Sequence, residues 1–248
     1  MDINKGSFSL RNAIFPAIMT IISFLLFIGV YLYVTITAIE PYYLVGLVFA
    51  IPFICFGVVT YFTGIGQLKA VNSIIITIFL IIVLSIAMFI AFIFISIDAA
   101  TTETTDIAKY ERVMKHRGYP ENLLISHFPE EIPDNARNIV FRYNPAFGMG
   151  GENFNLKFET DSESINNYIH HFSQVAKWIG KADASEAEEN GILSGIFSGI
   201  GYEELPEDFT IYLIDSRSDG PVKWNHGMLS LVAISKEKNE IIFIAENW

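Results

Sequence analysis

Residues 13–39, AIFPAIMTIISFLLFIGVYLYVTITAI, run for 27 positions without one charged side chain. A helix needs only about 20 apolar residues to cross the hydrocarbon core of a bilayer. Two more such runs follow, 42–68 (YYLVGLVFAIPFICFGVVTYFTGIGQL) and 73–97 (SIIITIFLIIVLSIAMFIAFIFISI). Backbone polar groups in lipid must be satisfied within the segment, so each run is expected to be a helix. A signal peptide is a poor reading of the first run, whose apolar part is too long and lacks an A-x-A cleavage site. Core helices of a water-soluble protein would be shorter or carry a polar stripe. The expectation is three membrane helices, at 13–39, 42–68 and 73–97, after an N-terminal segment 1–12.

The charges lie almost entirely beyond these runs. Of 16 basic residues only Lys5, Arg11 and Lys69 precede residue 98, and of 27 acidic ones only Asp2 and Glu40. That leaves 13 basic and 25 acidic residues in 98–248, a net of −12. A membrane part is therefore joined to an acidic, water-facing domain over 98–248. Such a charge repels phosphate, and no basic stripe with interleaved aromatics is present, so nucleic acid is not an expected partner.

Lys5, Arg11 and Lys69 fall on one side of a three-span arrangement, and the loop at Glu40-Pro41 carries no basic residue. The positive-inside rule then puts the N-terminus in the cytoplasm and the domain outside the cell membrane. Lys109, Arg112, Lys115 and Arg117 argue the other way, although long domains translocate largely regardless of charge. None of the spans contains Asp, Glu, Lys, Arg or His, the groups on which ion and proton pathways rely. Pro16 and Pro52 are possible kinks, and Gly46-x-x-x-Ala50 suits close helix approach, but plain anchors have both features. The spans read as an anchor embedded in membrane lipid rather than as a transporter acting alone.

Cys55 is the only cysteine, so neither an internal disulfide nor a thiolate zinc cluster is available. No cofactor is expected.

Within the domain, Thr105 is positioned to cap a helix over 106–117 that stops at Gly118. Residues 119–136 hold Pro120, Pro129 and Pro133 and read as an extended wrap. Ile139, Phe141 and Tyr143 alternate with polar residues, as do Phe154, Leu156 and Phe158, which predicts a hairpin. Its connection contains Gly148, Gly150 and Gly151 but leads into a strand, so it is a turn and not a phosphate-binding loop. Residues 162–179 form an amphipathic helix with Ile165, Tyr168, Ile169, Phe172, Val175, Ala176 and Ile179 on one face, capped by Asp161 and ended by Gly180. Three strands follow at 209–215, 228–235 and 240–247, the last two apolar on both faces as central strands are. The fold class is membrane α-helical with three spans, plus a C-terminal α+β domain whose antiparallel sheet packs on the amphipathic helix.

Candidate chemistry is sparse. His170 and His171 diverge by about 100° on a helix and cannot grip one metal, so both read as surface residues. His127 stands near Glu130 and Glu131 in the wrap, and His226 lies in Lys223-Trp224-Asn225-His226-Gly227. The latter is first a corner between strands, with Trp224 packing over the sheet edge. Loops carry function disproportionately, so Trp224 and His226 remain candidate binding residues. A second candidate surface is GILSGIFSGIGY (191–202), where Gly191, Gly195 and Gly199 recur beside Ile192, Ile196 and Ile200. Burial of this stretch against the sheet is the simpler expectation. The sharper one is a contact surface for a protein partner built on Ile192, Ile196 and Phe197.

The three spans and the ending, with Asn-His-Gly, two apolar strands, Asn239-Glu240-Ile241 and Trp248, resemble uncharacterised small bacterial membrane-anchored proteins. That resemblance implies no activity. The leading functional expectation is a membrane-tethered recognition module that binds a protein, peptide or envelope component. The alternatives are a membrane-bound hydrolase or transferase using His127 or His226, and an accessory subunit of a transport complex.

Overall fold

The computed structural model describes residues 8–146, 151–184, 187, 192, 194–218 and 227–248. They belong to two compact units, one ending at Ala99 and one running from Ala100 to Trp248.

The first unit is helical. A 3-10 turn, Leu10–Ala13, leads into α1 (Ile14–Ile36), a second, Val45–Ala50, leads into α2 (Ile51–Gly64), and α3 is Ala70–Thr101. The segments Leu10–Ile36, Val45–Gly64 and Ala70–Thr101 are each long and apolar enough to cross a membrane, as expected of a multi-pass membrane protein. Pro16 and Pro52 sit in the first turns of α1 and α2. A first-turn residue has no intrahelical use for its N–H, so each proline is tolerated where a 3-10 turn passes into the α-helix.

α1 and α2 pack along much of their length. A side chain at Gly46 would meet the Tyr31 ring at 3.1 Å and Val34 at 3.3 Å, so this glycine admits α1. The Thr20 and Thr60 hydroxyls meet at 3.0 Å, and the rings of Phe24 and Phe53 lie 5.1 Å apart. Hydroxyls that would be costly to bury unpaired return to their own helices, as Thr60 does to the Phe56 carbonyl at 2.8 Å and Thr77 to that of Ser73 at 2.7 Å. The long α3 is the least buried of the three spans.

The second unit contains α4 (Tyr110–His116), β1 (Arg137–Asn144), β2 (Glu152–Glu159), α5 (Ser162–Val175), β3 (Trp178–Gly180), β4 (Phe209–Ser218), β5 (Gly227–Ser235) and β6 (Glu240–Asn247). The strands form one sheet in the order β1-β2-β6-β5-β4-β3, with every neighbouring pair antiparallel. Alternation puts Phe141, Tyr143, Phe154, Leu156, Phe158 and Phe243 on one face. Val140, Arg142, Asn155, Ile242, Ile244, Leu229 and Leu231 point to the other.

α4, the wrap after it and α5 cover the first face. Phe243 is its hub, with ring centres 5.5 Å from Phe128, 5.9 Å from Phe158, 6.0 Å from Tyr168 and 6.1 Å from Phe172. Such pairs contribute about 0.5–1.5 kcal/mol each beyond the area they bury. Ile165 and Phe172 carry the buried stripe of α5. The opposite face is covered too, by Ala187, Ile192 and a 3-10 segment, Ser194–Ile200, whose Ile196, Phe197 and Ile200 lie against Ile211, Leu231 and Ile244. Coverage on both sides is why 231–234 of β5 and 241–245 of β6 are apolar on both faces.

Three local expectations differ in detail. The first domain helix starts later than its sequence suggests, because the Asp106 carboxylate accepts from Ala108 N at 3.1 Å and opens a 3-10 turn, Ile107–Lys109. Gly118, at φ +76°, follows α4 as expected of a C-terminal glycine. The amphipathic helix is capped by Asp161, which accepts from Ser164 N at 2.8 Å, but it ends at Val175. Ala176 turns extended and Lys177 N donates to the Leu213 carbonyl at 2.7 Å, so 178–180 becomes the edge strand β3. Pairing with β4 outweighs the helical periodicity of Ala176 and Ile179. In β1, Asn138 at φ +50° and a register shift between Arg137 and Val140 take Ile139 out of the alternation.

Candidate binding site at one end of the sheet

The residues singled out in the sequence are dispersed. His127 packs against Phe128 at 4.6 Å, and its Nε2 lies 3.1 Å from the Ile244 carbonyl oxygen. Its Nδ1 is buried and has no partner among the described residues. Burial lowers its pKa to about 4, outweighing the carbonyls of Ile244 and Leu231, so the ring is neutral and Nε2–H donates. His170 and His171 are exposed on α5. Trp224 and His226 lie outside the described residues. Ile192, Ile196 and Phe197 are all but inaccessible, at 5, 6 and 1% exposure, within the core of the second face. Contact with a partner through these three would require the repeat to leave the sheet.

Gly199 in that repeat has a specific task. A side chain there would meet Asn155 Nδ2 at 2.9 Å and Arg142 Nη1 at 3.3 Å. Only glycine lets the 3-10 segment lie this close to β1 and β2. Gly195 has open space around it and no such duty.

The polar groups under Gly199 form a cluster that sequence reasoning missed. Asn155 is wholly buried, and its Nδ2 donates to Asn153 Oδ1. Asn153 Nδ2 donates in turn to Glu246 Oε1, across the β2–β6 pairing in which the two residues are partners. Asn155 Oδ1 is buried and has no partner among the described residues. Burial raises the Glu246 carboxyl to about 7, against the smaller opposing effect of the Asn153 amide. Beside them Arg142 is held by Glu103, Nε on Oε1 at 2.8 Å and Nη2 on Oε2 at 3.0 Å, so its charge is already matched.

This end of the sheet is fixed by close backbone contacts. Gly227 N donates to the Trp248 carbonyl at 3.1 Å, and Trp248 N to that of Gly227 at 3.0 Å. A side chain at Gly151 would lie 2.8 Å from Asn247 O. β1 ends and β2 begins at this end of the sheet, as β4 ends and β5 begins. With Arg142 neutralised, the free chemistry is acceptor chemistry. Its accessible part is the half-buried Glu246 carboxyl, which ionises near neutrality and suits an ammonium or guanidinium group, whereas the Asn155 oxygen lies sealed beneath the Ser194–Ile200 segment.

A second polar cluster lies on the first face. Glu152 is buried and pairs with Arg117 Nη2. Its Oε1 and Arg117 Nε have no partners among the described residues. Burial raises the Glu152 carboxyl by more than Arg117 lowers it. It sits under α4 and reads as structural.

The signal for the first cluster was present but ambiguous. ENFNLKFE alternates cleanly, so Asn153 and Asn155 read as the solvent side of a half-buried strand. Only the second cover makes them interior.

Comparison with known families, curated proteins and solved structures finds no match. Fold and composition define a multi-pass membrane protein bearing an antiparallel α+β domain.

Proposed function

We propose that this chain is a membrane-tethered recognition module. Its spans lie in the cell membrane and its acidic domain on the extracytoplasmic side, where it binds a protein, peptide or envelope component that presents a basic group. The observation that carries this reading is the half-buried Glu246 carboxyl at the end of the sheet, held by the Asn153 amide and with a pKa of about 7. A partly exposed carboxyl poised near neutrality at a strand end is a place for a donor from outside. The net −12 of 98–248 draws cationic partners to the domain. Lys5, Arg11 and Lys69 support the orientation.

The test is site-specific photocrosslinking in native membranes from Asn144, the register neighbour of Asn153. A discrete adduct is expected that disappears in Glu246→Lys and persists when Arg137, at the far end of β1, is changed instead. An adduct indifferent to Glu246→Lys removes the basis for the reading. Orientation is tested separately by Asn12→Cys and Glu203→Cys in a Cys55→Ala background, and only Glu203→Cys is expected to react with an impermeant reagent on intact cells.

A further inference from the structure

The three spans enclose a cavity of about 280 Å³. It is lined by α1 between Met19 and Val30, by Phe49, Pro52 and Phe56 before and within α2, and by α3 between Ile81 and Phe92. These stretches fall in the middle of Leu10–Ile36, near the middle of Val45–Gly64 and in the middle of Ala70–Thr101, so the cavity lies at mid-depth of the spans. Ser23, Phe49 and Phe56 form a buried floor, whereas Leu26 and Phe89 at its edge are largely exposed. The space is a side-opening groove, present because α1 and α2 pack closely and α3 stands off.

We propose that this groove holds one acyl chain of a bilayer glycerophospholipid. Its chemistry and its depth in the spans select that occupant. The wall is almost entirely apolar, and the Ser23 hydroxyl spends its proton on the Thr20 carbonyl at 3.0 Å, so a water there finds too few polar partners to stay. A partner's helix lying over the groove would instead shield Met88 from lipid and leave it unlabelled. The apolar material at the centre of a bilayer is the alkyl chain, and Leu26 and Phe89 leave it a lateral way in. A bound chain bridges α3 to the α1–α2 pair, supplying the contacts that α3 lacks from protein. The proposal is independent of the recognition reading, since no residue of the domain enters it.

The experiment uses the full chain in phosphatidylcholine–phosphatidylglycerol vesicles doped with a phospholipid bearing a diazirine at mid-chain. After irradiation the adducts are mapped by peptide mass spectrometry. Met88, which lines the groove, is expected to be labelled at least fivefold over Phe94, which faces outward on the same helix. Leu84→Trp fills the groove and is expected to cut Met88 labelling at least threefold with Phe94 unchanged. Ser85→Leu, a smaller filling, serves in the same way should Leu84→Trp fail to insert. Equal labelling of Met88 and Phe94, or filling variants that change nothing, overturns the proposal. Labelling of Met88 by a photoactivatable free fatty acid but not by the phospholipid overturns the assignment of the occupant.

Discussion

Asn153 and Glu246 stand opposite each other on β2 and β6, and the side-chain amide of the first donates to the carboxylate of the second. The bond orients the carboxyl without restoring its acidity, because burial holds the pKa near 7.

This gives stability a definite slope with pH. The folded pKa lies above the unfolded one, so Glu246 has its full stabilising effect below pH 4.5. That effect is lost as pH rises through about 7. At pH 8 Glu246→Gln is expected to be more stable than the parent by about 1–2 kcal/mol, partial exposure being discounted. At pH 4.5 the two should be alike. Unfolding of the full chain in detergent, followed by near-ultraviolet circular dichroism at both pH values, measures this. A difference that does not depend on pH contradicts the assignment.

His127 works in the opposite direction. Its folded pKa, lowered to about 4, lies below the unfolded value of 6.5. Above 6.5 both states are neutral, and stability is lost as pH falls from 6.5 towards 4 because only the unfolded chain takes up the proton. His127→Gln is expected to flatten the acid side of the stability profile and leave the alkaline side unchanged. Melting temperatures between pH 4 and 7 are the measurement, and parallel curves for the two proteins would dismiss it.

The Arg117–Glu152 pair is expected to be asymmetric. Arg117→Met strands a buried carboxylate and should cost about 3–5 kcal/mol. Glu152→Gln should cost less, because burial already disfavours its charge. Arg117→Met with Glu152→Met should recover most of the loss. A double-mutant cycle in urea reads the coupling, and strictly additive changes would mean the pair does not act as one.

The glycines of 191–202 provide a comparison within one segment. Gly199→Val drives a side chain into Asn155 and Arg142 and should cost about 1–3 kcal/mol. Gly195→Ala meets open space and should be neutral or stabilising by up to about 1 kcal/mol, since it restricts the unfolded chain. Equal effects at the two positions would show that the segment does not lie on the sheet in this way.

Much of the architecture was legible because its causes are local. Twenty-seven uncharged residues leave a chain little alternative to a spanning helix, and alternation at Phe154, Leu156 and Phe158 settles that these three share one face of β2. Asp161 capped α5 as its position implied. The amphipathic helix was misread where a distant strand intervened. Ala176 and Ile179 continue a helical stripe on paper, yet β4 offers Lys177 and its successors a row of backbone partners that the helix does not.

The candidate site was not legible for the same reason. Asn153 and Asn155 carry the pattern of surface residues, and Glu246 looks like one more charge on an acidic domain. Their character depends on the Ser194–Ile200 segment covering the second face and on a pairing between residues 93 positions apart. Sequence by itself determined which segments enter lipid and which faces of the strands are apolar, since periodicity and hydropathy belong to neighbouring residues. Only the tertiary structure decided which polar groups lost their water, because desolvation is imposed by whatever chain folds over them.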